Sequence, residues 1–181
     1  MIKAVIVNVV VTANLCQEVD LLELREFHGI LHDSNIYGGR VAYFKVSNME
    51  GKVSIFTSGK MISVGTRSEK RGFEELQHAM NFLVEKGLTK ARHLRPQTQN
   101  IVVSADIGKV INLEKMASEN SVIYEPEQFP AGILRVEKPH KATILVFSSG
   151  KLVLTGLRKS SQIRPVLRTL ANIITPYTSS D

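Results

Sequence analysis

A single cysteine, Cys16, excludes an intrachain disulfide and is expected to be a small buried side chain in a reducing compartment. No apolar run approaches the roughly 20 residues that crossing a bilayer requires. The opening stretch MIKAVIVNVVVTANLC has the length of an export signal. However, Asn8 interrupts it, only Lys3 precedes the apolar run, and Leu15 is not the small residue a cleavage site requires, so it reads as a strand. The five histidines are scattered. His28 and His32 are four apart but have no third ligand in view, so no metal site is expected. Ser149-Gly150-Lys151 has the end of a phosphate loop, yet Leu145 stands where the first glycine is needed and a strand follows where a helix should begin. Residue order supports no Ser/His/Asp arrangement. The expectation is a protein with no catalysis and no cofactor.

What is present is basic and repeated. The chain carries a net charge of +6 and a pI near 9.5, which favours a polyanionic partner only weakly. The stronger signal is FTSGKMISVG at Phe56 to Gly65, which returns as FSSGKLVLTG at Phe147 to Gly156. Phe56/Phe147, Gly59/Gly150, Lys60/Lys151 and Gly65/Gly156 are each 91 positions apart. Each copy reads as a β-hairpin with a Ser-Gly turn. Alternation puts Leu145, Phe147, Lys151, Val153 and Thr155 on one face and Ile144, Val146, Leu152 and Leu154 on the other, so both faces are largely apolar. The helix in the sequence suffices to cover one of them. A second apolar face edged with Lys and Arg fits a flat ligand that is apolar at its centre and anionic at its margins, as the minor groove of DNA is.

The elements expected in order are a strand over Ile2–Thr12, a helix over Asp20–Leu31 burying Leu21, Leu24, Phe27 and Ile30 or Leu31, and a loop from Ser34 to Gly39. Strands follow at Arg40–Val46, Lys52–Phe56 and Lys60–Val64. A helix capped by Ser68 runs to about Lys86, buries Phe73, Leu76, Met80, Leu83 and Val84, and is stopped by Gly87. After a connector at Leu88–Gln99, the order recurs: a strand at Asn100–Ala105, a short helix at Asn112–Ser118, and a brief strand at Ser121–Tyr124. Further strands are expected at Ile133–Glu137, Thr143–Phe147 and Lys151–Thr155. A last helix is expected to be capped by Ser161, with Ile163, Val166, Leu167, Leu170 and Ile174 facing the core and Pro176 ending it. Thr178–Asp181 should fray.

The repeated Phe-x-Ser-Gly-Lys hairpin, the strands VNVVVT and QNIVVS, and YEPEQFPAG at Tyr124 to Gly132 together resemble the TATA-binding protein family over essentially the whole chain. The resemblance implies an α+β fold of two tandem pseudo-symmetric repeats, residues 1–91 and 92–181. These would form one curved antiparallel sheet, a saddle, with helices on its convex face and DNA on its concave face. It further implies a general initiation factor that binds A·T-rich promoter DNA in the minor groove, bends it by wedging side chains between base steps, and recruits a factor B-like protein and, through it, RNA polymerase. In that reading Asn8 and Asn100 donate to the groove's acceptors. Val10, Ile62, Val102 and Val153 pack on base edges, with Val64, Leu145 and Thr155 on the same face. Phe56, Phe129 and Phe147 match wedge positions. Lys45, Lys60, Arg67, Arg135, Lys151 and Arg158 match basic positions beside the phosphates, and Glu125 and Glu127 match the loop that receives factor B.

Three departures from the family pattern fall in the first copy. The fourth wedge position aligns with Gly39 or, with two extra residues, Tyr37. Val64 stands opposite Thr155, and Ser54 replaces the counterpart of Leu145. They motivate an alternative reading, a divergent saddle acting as a protein-interaction module or regulator with weak DNA binding. The concave face also allows a homodimer. The family occurs in archaea and in eukaryotic nuclei, and the short amino terminus suits an archaeal cytoplasm.

Overall fold

The computed structural model describes residues 2–119 and 122–179. The chain divides into two compact units, unit I (Asn8–Gln99) and unit II (Met1–Val7 with Asn100–Asp181). Each is built from antiparallel strands with helices, so the fold is of the α+β class.

In unit I the strands β1 (Lys3–Asn14, of which the part from Asn8 onward belongs here), β2 (Ile30–His32), β3 (Val41–Phe44), β4 (Lys52–Phe56) and β5 (Lys60–Thr66) run in the order β2-β3-β4-β5-β1. Helix α1 is Leu21–Leu24 and helix α2 is Glu69–Glu85. Ser68 caps α2 as the sequence predicts, its side chain accepting the Arg71 N–H, and Gly87 follows the helix end at φ +75°. The buried face of α2 carries Leu76, Ala79, Met80 and Leu83 over Val9, Val11, Val53, Ile55 and Met61, all 3% exposed or less. Phe44, Phe82 and Phe27 close one end of this core, with ring centroids 4.9 and 5.8 Å apart for Phe44–Phe82 and Phe27–Phe82.

Unit II repeats the arrangement. Its strands β6 (Gln97–Asp106, entering this unit at Asn100), β7 (Val122–Ile123), β8 (Ala131–Val136), β9 (Ala142–Phe147) and β10 (Lys151–Leu157) run in the order β6-β10-β9-β8-β7. Helices α3 (Leu113–Glu119) and α4 (Ile163–Ile174) supply Leu113, Met116, Val166, Leu170 and Ile174 to the buried set. That set also holds Ile101, Val103, Ile144, Val146, Leu152 and Leu154. Gly59 and Gly150 sit in the hairpin turns at φ +79° and +89°, where added Cβ atoms would collide with the carbonyl oxygens of Gln17 and Lys109 respectively. Both copies therefore keep glycine.

Several expectations are corrected. The helix expected over Asp20–Leu31 is one turn long. Asp20 caps it by accepting the Leu22 N–H, and then Gly29, at φ +86°, turns the chain so that Ile30 and Leu31 enter β2. On α2, Phe73 and Val84 are exposed and Glu75 is buried in their stead. Ser161 does not cap α4. It lies in a 3-10 turn, Ser160–Gln162, while Gln162 Oε1 accepts the N–H groups of Arg158 and Lys159. Ile163 and Leu167 are only half-buried. Cys16 is exposed, carried out of the core by a left-handed turn at φ 58° in which its N–H donates to Asn14 Oδ1. Thr178 is held by an antiparallel bridge to Ile111, and the Ser179 N–H donates to the Val110 carbonyl. Ser121, Ser180 and Asp181, included in the expected strand and tail, lie outside the described residues. Among the described residues, no helix is long and apolar enough to cross a membrane.

Candidate nucleic-acid interface

The hairpin alternation produces a sheet with one face sealed and one open. In β9 and β10, Ile144, Val146, Leu152 and Leu154 are fully buried, whereas Thr143, Leu145, Phe147, Val153 and Thr155 are half-exposed. Strand register extends this open row across unit II. Ser104 pairs with Val153, Val153 with Leu145, and Leu145 with Ile133. Thr155 pairs with Thr143, and Thr143 with Arg135. Unit I has the same construction, a half-exposed row running Thr12, Ile62, Ser54 and Tyr43, with Val10 and Val64 beside it. Its apolar content is lower because Ser54 occupies the place of Leu145.

The two asparagines are fixed by the same bond. Asn8 Oδ1 accepts the Gly65 N–H at 2.7 Å, and Asn100 Oδ1 accepts the Gly156 N–H at 2.7 Å. Because only the carbonyl end of the amide can accept, this contact orients the side chain and leaves Nδ2 as the donor end. Asn100 Nδ2 also reaches the Thr155 hydroxyl, 3.0 Å away. Val64 offers Asn8 no such partner, so the amide of unit I is tied at one point where that of unit II is tied at two.

At the outer end of unit II, Phe129 and Phe147 stand with ring centroids 6.4 Å apart and planes at 63°. Phe129 is 42% exposed. The turn carrying it is tight: the Glu125 carbonyl accepts the N–H groups of both Gln128 and Phe129 at 2.9 Å, with Glu125 and Glu127 exposed. Register locates the counterpart in unit I. Phe147 pairs with Ala131 and Phe56 with Val41, so Phe129, two residues before Ala131, corresponds to Gly39, two residues before Val41. Tyr37 lies further back in a 3-10 turn with φ +51° and is 75% exposed.

The cations frame these faces. Lys60 and Lys151 open β5 and β10, are exposed, and pair with Asn14 and Asp106. Arg135 and Arg158 are exposed in unit II. A hollow of about 230 Å³ is lined by Arg135, Lys141 and Thr143, and another of about 320 Å³ by His140, Lys141, Arg158 and Gln162. In unit I, Lys45 Nζ donates to the Glu50 carbonyl at 2.9 Å. Arg67 Nε lies 3.7 Å from the Glu50 carboxylate, which also accepts the Arg67 N–H at 3.4 Å. Tyr43, Ile133, Thr143 and Lys141 were not singled out in the sequence, although alternation from Lys45 and Arg135 reaches the first two. Lys52, whose Nζ lies 4.5 Å from the centroid of the Tyr43 ring, is a further cation on this side of unit I.

Among the described residues no group of His, Cys, Asp and Glu is arranged to hold a metal ion. Each unit thus presents an open sheet face that is half-apolar, edged with cations and carries an oriented amide. The family model described as transcription factor TFIID (or TATA-binding protein, TBP) matches residues 3–86 and 95–177. The chain belongs to that family, which is one of transcription factors and not of enzymes. It is 36% identical over 160 residues to the TATA-box-binding protein of Cenarchaeum symbiosum, covering 88% of this chain and 87% of the relative. It is 37% identical over 156 residues to TATA-box-binding protein 3 of Methanosarcina acetivorans, covering 82% of each. The solved Methanococcus jannaschii TBP matches with a TM-score of 0.83 at 28% identity, over 96% of this chain and 99% of that one.

Proposed function

We propose that this chain is a general transcription initiation factor that binds A·T-rich, TATA-like promoter DNA in the minor groove, bends it, and recruits a factor B-like protein and through it RNA polymerase. Residues 1–91 and 92–181 act as two repeats. The observation that carries the reading is the open sheet face found in both units, with an asparagine amide oriented by a glycine N–H at equivalent positions. The minor groove of A·T pairs offers only acceptors, which Nδ2 donors satisfy in either base-pair orientation. Val10, Ile62, Val64, Val102, Leu145, Val153 and Thr155 contact base edges and sugars, and their bulk excludes the guanine amino group. Phe56, Phe129 and Phe147 press on base steps. Lys45, Lys60, Arg67, Arg135, Lys151 and Arg158 neutralise phosphates.

The test is competition between an A·T-rich and a G·C-rich duplex across a salt series. The expected result is preference for the A·T duplex, with log K falling against log[salt] at a slope of roughly −4 to −6, about 0.9 per phosphate neutralised. Equal binding to both duplexes, or a slope near zero, rejects the reading. The alternative, a protein-interaction module, is favoured by Gly39, Ser54 and Val64 in unit I, and predicts no duplex binding even at low salt.

For the partner, Glu125 and Glu127 present two carboxylates on the exposed turn that precedes Phe129. Reversing both charges (Glu125→Lys with Glu127→Lys) is expected to weaken the ternary complex with a factor B-like protein at least tenfold while the binary DNA complex is retained, measured by mobility shift. An equal loss in both complexes discards the assignment.

A further inference from the structure

We infer that the two units are unequal grips: unit II kinks and anchors its DNA, and unit I lies on it with a weaker hold. The inference rests on the minor-groove reading above. Two independent features support it.

The first is the wedge. An apolar side chain wedged between base steps partly unstacks them, and a second ring packed against it steadies the wedge. Unit II has such a pair in Phe129 and Phe147, 6.4 Å apart. In unit I the strand register puts Gly39 at the place of Phe129. Phe56 is half-buried and paired with Val41, and Tyr37, two residues before Gly39, is turned away from the β3 register by three successive left-handed residues, Tyr37, Gly38 and Gly39. Phe56 therefore has no ring at the place where Phe129 packs on Phe147.

The second feature is charge. Position 50 of unit I and position 141 of unit II are equivalent, each being the second residue before Lys52 or Thr143 of the matching strands, yet they are Glu50 and Lys141. Glu50 engages two cations of its edge. Its carbonyl accepts from Lys45 Nζ, and its carboxylate lies against Arg67 Nε and accepts the Arg67 N–H. A phosphate approaching Lys45 and Arg67 must displace or face that carboxylate. In unit II the equivalent edge carries Arg135 and Arg158 with Lys141 between them. Glu137 pairs with Lys141 at 3.2 Å through side chains that are 69% and 84% exposed; Arg67 is 77% exposed as well, but Glu50 is 32% exposed and is the less screened of the two carboxylates. Unit II thus offers Arg135, Lys141 and Arg158, and unit I Lys45, Lys52 and Arg67, of which Arg67 faces the Glu50 carboxylate and Lys45 the Glu50 carbonyl.

The experiment uses the full chain with an A·T-rich duplex carrying 2-aminopurine at one or the other end of the tract, read by fluorescence for unstacking and by titration for affinity. Because A·T pairs read alike in either orientation, wild type is expected to open one step per bound chain, the signals of the two singly labelled duplexes together amounting to one opened step. Phe129→Gly, which gives unit II the wedge arrangement of unit I, is expected to abolish that signal. Glu50→Lys, which gives unit I the residue of unit II, is expected to raise affinity at least threefold and to steepen the salt slope by about one to three. A fold defect does not produce tighter binding, so this variant remains decisive. Signals from the two ends that together amount to two opened steps per wild-type chain, or unchanged or weaker binding by Glu50→Lys, overturn the inference while leaving the DNA-binding reading intact. Absence of binding by wild type and Glu50→Lys alike contradicts that reading and this inference with it.

Discussion

Phe147→Ala is expected to lower affinity for an A·T-rich duplex by about 10- to 100-fold and to remove most of the bend. Phe147 ends β9 on the open face and packs edgewise on Phe129. Its loss removes both a wedge ring and the support that holds the second ring upright. An aromatic pair contributes roughly 0.5–1.5 kcal/mol beyond its buried area. A base step held open without a filler also returns its unstacking cost of a few kcal/mol. About 1.4–2.8 kcal/mol of net binding energy corresponds to the stated range, since each 1.4 kcal/mol is tenfold. Because the side chain is half-exposed, the fold should lose only about 1–2 kcal/mol, well below the roughly 3–5 kcal/mol of a fully buried Phe→Ala change. Titration and thermal melting of the same variant separate the two effects. Unchanged affinity and bend would remove Phe147 from the interface.

Glu75→Ala is expected to destabilise unit I by about 3 kcal/mol. Glu75 is 3% exposed on α2, with Oε1 accepting the Gly51 N–H at 2.8 Å and Oε2 facing the Ser63 hydroxyl at 3.3 Å. It ties the helix to the residue before β4 and to the middle of β5 at once. Alanine leaves two buried donors without partners, at about 1–3 kcal/mol each. With roughly 2–4 °C per kcal/mol for a chain of this size, the melting temperature should fall by about 6–12 °C. Glu75→Gln, which keeps an acceptor, should recover part of the loss. If alanine melts with wild type, the carboxylate is not a structural tie.

Most of the fold was legible because it was written twice. The 91-residue spacing of Phe56/Phe147, Gly59/Gly150 and Lys60/Lys151 located both hairpins, and alternation gave the sealed and open faces of β9 and β10 correctly. The Ser68 cap and the Gly87 stop were local signals and held. What failed was helical periodicity: α1 already ends at Leu24, and Gly29, at φ +86°, then turns the chain into β2 although Phe27, Ile30 and Leu31 continued the spacing. Glu75 was invisible as a core residue because its burial depends on Gly51 and Ser63, both distant in sequence. In the candidate site, identity and sidedness were readable, but partners were not. That Asn8 and Asn100 are oriented by glycine N–H groups, and that Glu50 engages both Lys45 and Arg67, required coordinates. The sequence left Gly39 and Tyr37 as counterparts of Phe129, and the choice of Gly39 required strand pairing.

The most direct measurement of the central claim is end-to-end energy transfer on a short A·T-rich duplex titrated with the wild-type chain, beside a G·C-rich duplex of equal length. The account predicts that transfer rises with saturable binding on the A·T duplex, reporting a bend, while the G·C duplex stays straight at the same protein concentration. Binding that saturates with no change in transfer on either duplex would contradict it.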